Sequence, residues 1–267
     1  MNQGEYLVLD FLAVLLFRKS ISGCHRNTEF GVSPLDWQVR LLWRGTASPR
    51  WRAVHAKDGQ REAFRADNMD FDSQLDRLLT DTLTLAASRK QPMRPMTVLI
   101  DGPSGAGKTW AAASLAERTG WRVVHLDEFY PGWRGLAAGS EMVTSQVLRE
   151  HNPGYWRWDW EASTPSEWAG LDVRDDLIVE GVGAITEDSV AAARERGGVV
   201  TLFIDGPREA RRARALERDP DYAEWFETWE TQEREHFASQ TVAADLSWVW
   251  DATAWEAAQR ASARERA

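Results

Sequence analysis

The sequence predicts an α/β fold, a doubly wound, five-stranded parallel sheet with a helical lid, built from residues 96–267. Three observations predict it. From Met96 onward, short apolar runs alternate with helix-like stretches, the pattern of parallel strands joined by crossover helices. A glycine-rich segment, GPSGAGKT at 102–109, separates the first such run from the first such stretch. The residues with chemistry in them fall at the carboxyl ends of the runs, where open α/β sheets bind ligands.

In order, the expected strands are 97–101 (TVLID), 122–126 (RVVHL), 177–180 (LIVE), 199–205 (VVTLFID) and 247–250 (SWVW). Each is a short apolar run bounded by polar or turn residues. Helices are expected at 108–118, 140–150, 188–196, 207–218, 221–238 and 254–263. Residues 1–95 read differently, with stretches containing Trp, Arg and Asp but no sustained period, then a weak helix near 71–88. A boundary falls at 89–95 (RKQPMRP). The first 95 residues are expected to form a poorly structured extension or accessory segment, and a start codon at Met93 or Met96 would still yield the whole domain at 96–267.

The 267 residues, 43% apolar and 27% charged, have the composition of an ordinary globular chain with one main domain. Cys24 is alone and no Cys/His cluster has zinc spacing, so a reducing cytoplasm is expected. The apolar run at 6–17 falls short of the roughly 20 residues that span a bilayer and contains Asp10, so no membrane partner is expected. The net charge of -9 is uneven: residues 1–95 carry 14 Lys and Arg against 11 Asp and Glu, residues 96–267 carry 18 against 30. An acidic domain has no general pull on nucleic acid, so the phosphate ligand is expected to be small.

The segment from Gly102 through Pro103, Ser104, Gly105, Ala106, Gly107 and Lys108 to Thr109 matches G-x-x-x-x-G-K-[ST] in full, between strand and helix as the motif requires. The glycines let successive N–H groups turn inward around phosphate oxygens, and the following helix adds its positive end. Lys108 supplies a mobile charge to the β and γ phosphates, and the Thr109 hydroxyl is a magnesium ligand. Lys108 is also the one lysine of residues 96–267, where 17 arginines supply every other side-chain cation.

Further candidates follow along the chain. Asp127 and Glu128, where the second strand ends, can take an acceptor's proton or hold the magnesium shell; Asp127 is the first choice, and the two stay open as alternatives. Glu180, ending LIVE, has the place of a Walker B acid that orients magnesium-bound water. Arg211, Arg214 and Arg218 share one helix face with Arg208 and can close as a lid over a triphosphate, unless the helix is simply exposed and laced with Glu–Arg pairs. The run from Tyr155 to Trp160 offers rings for stacking, with Arg157 and Asp159 for polar recognition of an acceptor, unless its tryptophans only pack.

These residues resemble the uridine kinase-like branch of the P-loop nucleoside and small-molecule kinases. The resemblance rests on IDGPSGAGKT at 100–109, LDEFYPGW at 126–133, RWDW at 157–160, LIVEGVGA at 177–184 and RRARALERD at 211–219, and nothing in 1–95 takes part. It implies the P-loop NTPase fold, ATP as donor with Mg²⁺, Asp127 as base, and an acceptor site that includes Tyr130 of the D-x-F-Y segment. Two departures stand out: Trp110 follows the GKT, and RWDW replaces the family's usual Tyr-Asp segment. The activity so implied is transfer of the γ-phosphoryl group to a hydroxyl of a small molecule, a nucleoside first. A P-loop ATPase or nucleotide-dependent switch acting on a protein partner is the other reading. A GTPase is excluded, because N-K-x-D cannot occur after the last lysine, Lys108.

Overall fold

The computed structural model describes residues 51–57, 60–65 and 71–251. The expected helix at 254–263, the apolar run at 6–17 and Cys24 lie outside the described residues.

The five expected strands are present as β3 (Met96–Asp101), β4 (Arg122–His125), β7 (Leu177–Glu180), β8 (Gly198–Asp205) and β9 (Leu246–Trp250). They pair in parallel in the order β9-β8-β3-β7-β4. The sheet reverses direction at β3: the chain goes first to one side, through β4 and β7, and then to the other, through β8 and β9. That reversal opens a crevice beyond the carboxyl end of β3. Every residue of β3 and β7 is buried, which is why both read as unbroken apolar runs rather than alternating ones.

The sheet has two further strands, β1 (Trp51–Lys57) and β2 (Gln60–Arg65), which run antiparallel on the β9 edge and make it seven-stranded. They lie in the stretch where no sustained period was read. The overlooked signal is Asp58-Gly59 between them, a two-residue pair of the hairpin type flanked by charged and apolar residues in rough alternation.

The helix expected near 71–88 is α1 (Phe71–Arg89), and it belongs to the packed sheet. Leu75, Leu78, Leu79 and Ala86, on one helical face, are buried with Met96, Val98, Ile100 and Val200. Arg89 closes the contact, donating to the Val199 carbonyl at 2.9 Å and to both oxygens of Asp245 at 2.6 and 2.8 Å. Packing therefore begins before residue 96, the expected domain start.

On the same face α2 (Lys108–Thr119) starts directly after Gly107 and stops at Gly120, whose φ of 72° suits a left-handed helix end. The opposite face carries α3 (Leu136–Met142), which runs into a π-turn at Val143–Val147, then α4 (Glu187–Arg196), α5 (Arg208–Arg218) and α6 (Phe226–Ser239). The expected helix at 140–150 is thus shifted toward the N-terminus and widened into an i→i+5 turn at its end. Between β4 and β7 the chain forms a separate hairpin, β5 (Gly154–Asp159) with β6 (Thr164–Gly170), where no strand was expected. Pro165 disguises β6, but a two-stranded ribbon is all edge and tolerates it.

Candidate active site

The loop between β3 and α2 carries positive φ at Gly102, Gly105 and Gly107, of 136°, 76° and 103°. Two of these glycines are also required sterically: a Cβ on Gly102 would collide with the Ile204 carbonyl and one on Gly105 with the Arg211 carbonyl. Gly107 has no such backbone neighbour; the nearest atoms to its missing Cβ are the guanidinium nitrogens of Arg214, at 3.6 and 3.9 Å. Lys108 is buried and donates to the Pro103 carbonyl of its own loop at 3.0 Å.

Asp101, ahead of the loop, went unread in the sequence. Its fully buried carboxylate accepts from the N–H groups of Gly102 at 2.6 Å, Gly183 at 3.0 Å and Ile185 at 2.9 Å. One side chain thereby ties the phosphate loop to the segment after β7. No charge pattern could reveal this, since all three partners are main-chain amides and two of them lie more than 80 residues on.

Glu180 ends β7, which lies between β3 and β4. Its Oε1 accepts the Thr109 hydroxyl at 3.0 Å and lies 2.6 Å from Nδ1 of His125. Burial pushes the Glu180 carboxyl upward, but the His125 hydrogen bond and charge, with Lys108 and Thr109, outweigh it and hold the group below its ordinary range. Burial likewise pulls the His125 imidazole down, and Glu180 overrides it upward. Thr109 and Glu180, the two residues expected at magnesium, thus lie within hydrogen-bond distance of each other, and His125, which the sequence did not single out, pairs with Glu180.

Asp127 and Glu128 form a 3₁₀ turn, Leu126–Glu128, beyond β4, and the structure separates them. Glu128 Oε2 accepts from the Tyr155 hydroxyl at 2.6 Å and Arg157 Nε at 3.0 Å, and Arg157 also pairs with Glu167. Asp127 is exposed, and among the described residues its main-chain carbonyl alone is hydrogen-bonded, by the Trp160 indole at 3.1 Å. Trp160 packs on Trp133, with centroids 4.7 Å apart, and Trp158, near the Gly132 position, has a buried indole N–H with no partner among the described residues. Tyr222 stacks on Trp133 at 5.4 Å and its hydroxyl reaches Ser104 Oγ at 3.2 Å, linking this aromatic group to the phosphate loop.

Several predicted residues are placed elsewhere. Tyr130 lies in the core, its hydroxyl donated to the Val182 carbonyl at 2.7 Å, because the turn after β4 folds it inward against Trp229. Tyr155 is buried against Phe129 and touches the site only through Glu128. Asp159 caps its own hairpin turn, accepting from the amides of Glu161 and Ala162. Arg211 is a buried clamp rather than a mobile lid group: it donates to the carbonyls of Gly206 and Ser104 and pairs with Asp205 at 3.0 Å. Arg208 is held by Glu230 and Glu227 on α6. Of the lid arginines, Arg214 lies at the phosphate loop, over the Trp250 ring, and Arg218 is exposed.

Glu233 on α6 was missed altogether. It is 3% exposed and its Oε1 accepts the backbone N–H of Ser104 at 2.7 Å. Burial lifts its carboxyl above the ordinary range, against the pull of Ser104, Lys108 and Arg211. It sits some 130 residues beyond the loop, with nothing in its helix to mark it out.

No family profile and no curated protein matches the chain. Among solved structures it is similar to a protein described as a possible uridine kinase from Bacillus stearothermophilus, at 21% identity and a TM-score of 0.37, covering 61% of this chain and 95% of that one. It is also similar to a gluconokinase from Sinorhizobium meliloti 1021, at 16% identity and a TM-score of 0.32 over 65% and 94% of the two chains. A deoxyadenosine kinase from M. mycoides with bound dATP is similar at 11% identity and a TM-score of 0.32 over 64% and 100%. On its own strand order and phosphate-loop geometry, the chain has an α/β fold with a five-stranded parallel sheet and a P-loop after the central strand.

Proposed function

We propose that the chain is a kinase that transfers the γ-phosphoryl group of ATP to a hydroxyl of a small molecule, a nucleoside being the first candidate acceptor. The observation that carries this reading is the division of labour after β4: Glu128 is locked by Tyr155 and Arg157, whereas Asp127 stands exposed one strand away from Glu180. A carboxylate so placed accepts a proton from an acceptor hydroxyl directed at the phosphate loop.

The residues fit ATP and Mg²⁺. The loop's three left-handed glycines form an amide cradle, Lys108 stands at its base, and the adjacent Thr109 hydroxyl and Glu180 carboxylate suit a magnesium ion and its water. Bound there, Mg²⁺ neutralises charge on the phosphates of the donor. Lys108 leaves the Pro103 carbonyl for the phosphates, Arg214 supplies charge across the mouth of the loop at Gly107, and Asp127 takes the acceptor proton. The aromatic group of Trp133, Trp160 and Tyr222 beside Asp127 favours a planar acceptor.

Replacing Asp127 by Asn tests the assignment. ATP affinity should stay within about twofold while acceptor-dependent turnover falls roughly 10²- to 10⁴-fold. Turnover is measured with a panel of nucleosides and sugars, and the phosphorylated product is identified by mass spectrometry. Unchanged turnover in Asp127→Asn refutes the role. ATP hydrolysis that no small hydroxyl compound stimulates favours an ATPase or switch acting on a protein partner.

A further inference from the structure

On the face of the β5–β6 hairpin turned away from Glu128 lies a cavity of about 620 Å³, lined by Ser145, Gln146, Arg149, Asn152, Trp156 and Trp168. Strand alternation puts it there. Tyr155 points to Glu128 and the core, so Trp156, the next residue, faces the other way with Trp168 as its cross-strand partner. None of the six residues belongs to the phosphate loop, the strand-end acids or α5.

Four features meet in this cavity. Trp156 is 48% exposed, a large ring held in water rather than folded under. Gln146 stands on the π-turn Val143–Val147, a backbone form that recurs at functional sites, and its buried Oε1 has no hydrogen-bond partner among the described residues. Asn152 holds a left-handed φ of 50°, which costs free energy in a non-glycine residue, and Arg149 pins its carbonyl through Nε at 2.8 Å. The Arg149 guanidinium also lies 5.4 Å from the centre of the Trp168 ring, which in turn meets Trp156 edge-on at 5.7 Å.

We propose that this cavity is a second ligand site, and that its ligand is a neutral sugar ring. The walls combine one open indole face with uncharged polar groups: the Gln146 and Asn152 amides, which carry donors and acceptors, and the Ser145 hydroxyl, which donates to the Glu141 carbonyl at 3.0 Å and keeps its lone pairs to accept. A pyranose offers C–H groups to the indole and hydroxyls of both polarities to the polar groups of the wall. An anionic ligand is disfavoured, because the one cation, Arg149, is engaged with Asn152 and Trp168, and exposed Glu150 stands beside it. A flat base is disfavoured because the two indoles meet at 66° and cannot sandwich it.

The test uses the full chain and saturation-transfer NMR with D-glucose, D-galactose and maltose, and with uridine and AMP in separate arms. At least one of the three sugars should receive saturation in wild type. Trp156→Ala, at an exposed position, should weaken that signal about tenfold while ATP turnover is unchanged, which separates this cavity from a sugar held in the Asp127 crevice. Asn152→Gly removes the amide, relieves the left-handed strain and keeps the carbonyl for Arg149, so it should lose the sugar signal without losing thermal stability. The proposal is overturned if none of the sugars receives saturation, if the signal survives both substitutions, or if only uridine or AMP depends on Trp156.

Discussion

At the residue scale, Glu233 places a negative charge against the loop that must receive a polyanion. The groups facing it are Lys108 and Arg211, with the Ser104 amide in direct contact. Neighbouring charges are already matched: Glu230 with Arg208, Asp205 with Arg211, and Asp101 with three amides, His236 standing 3.7 Å away. Because its carboxyl is raised, lowering pH neutralises it sooner than an ordinary glutamate, and ATP binding should take up a proton there. Glu233→Gln keeps an oxygen for Ser104 but drops the charge. It should tighten ATP binding roughly tenfold near neutral pH, the size expected for about 1 to 2 kcal/mol of relieved repulsion. The ratio of mutant to wild-type affinity should shrink as pH falls. Calorimetric titration with ATP across pH checks both, and weaker binding in the mutant would show Glu233 to be a support of the loop instead.

At the element scale, α5 combines two kinds of arginine on one face. Arg211 is 8% exposed and holds the Gly206 and Ser104 carbonyls from behind the loop, whereas Arg214 lies at its mouth. Arg211→Ala should therefore lower stability by about 2 to 4 kcal/mol, through unpaired buried groups. Arg214→Ala should leave the melting temperature nearly unchanged and cut turnover at saturating ATP by 10-fold or more. Thermal melts and steady-state kinetics on the same preparations separate the two. The helix and its arginine face were legible in the sequence because α-helical spacing is local; which arginine faces the phosphates was not, because α6 decides it by engaging Arg208 and flanking Ser104. The same contrast runs through the site. The phosphate loop, β3, β7 and Glu180 could be read from contiguous residues whose type and order state their own geometry. Tyr130 and Asp159 were misplaced because a turn and a hairpin cap, set by long-range packing, took their side chains.

At the scale of the whole molecule, α1 is the element whose removal tests the extent of the folding unit. A chain beginning at Met93 or Met96 would strip Leu75, Leu78, Leu79 and Ala86 from one face of the sheet. At about 1.5 to 3 kcal/mol for each large buried side chain, the loss rivals the entire stability of a typical domain. Such a chain should be insoluble or melt far below the full one; a truncated protein that melts as wild type would restore the boundary at residue 96. The Arg89–Asp245 contact gives this packing a pH dependence. Burial pushes the Asp245 carboxyl up, but the Arg89 hydrogen bond, with the Thr201 amide and the guanidinium charge, brings it below the ordinary range. A carboxyl with a folded pKa below its unfolded one contributes stability at neutral pH and loses it as pH falls from about 4 through the folded value. With both partners part-exposed and screened, the contribution is on the order of 1 kcal/mol. Denaturant melts of Asp245→Asn should show a shallower acid limb than wild type.

The ring of Trp133 stacks almost parallel to that of Trp225, 5° apart in orientation with centres 5.7 Å apart, and the ring of Trp160, just after β5, stands 4.7 Å from Trp133. Indoles this close share their excited states, so the molecule carries an optical gauge spanning the segment after β4, the hairpin and the approach to α6. Any ligand that shifts one of these three against the others should rewrite the near-ultraviolet circular dichroism, without a label and without a coupled assay.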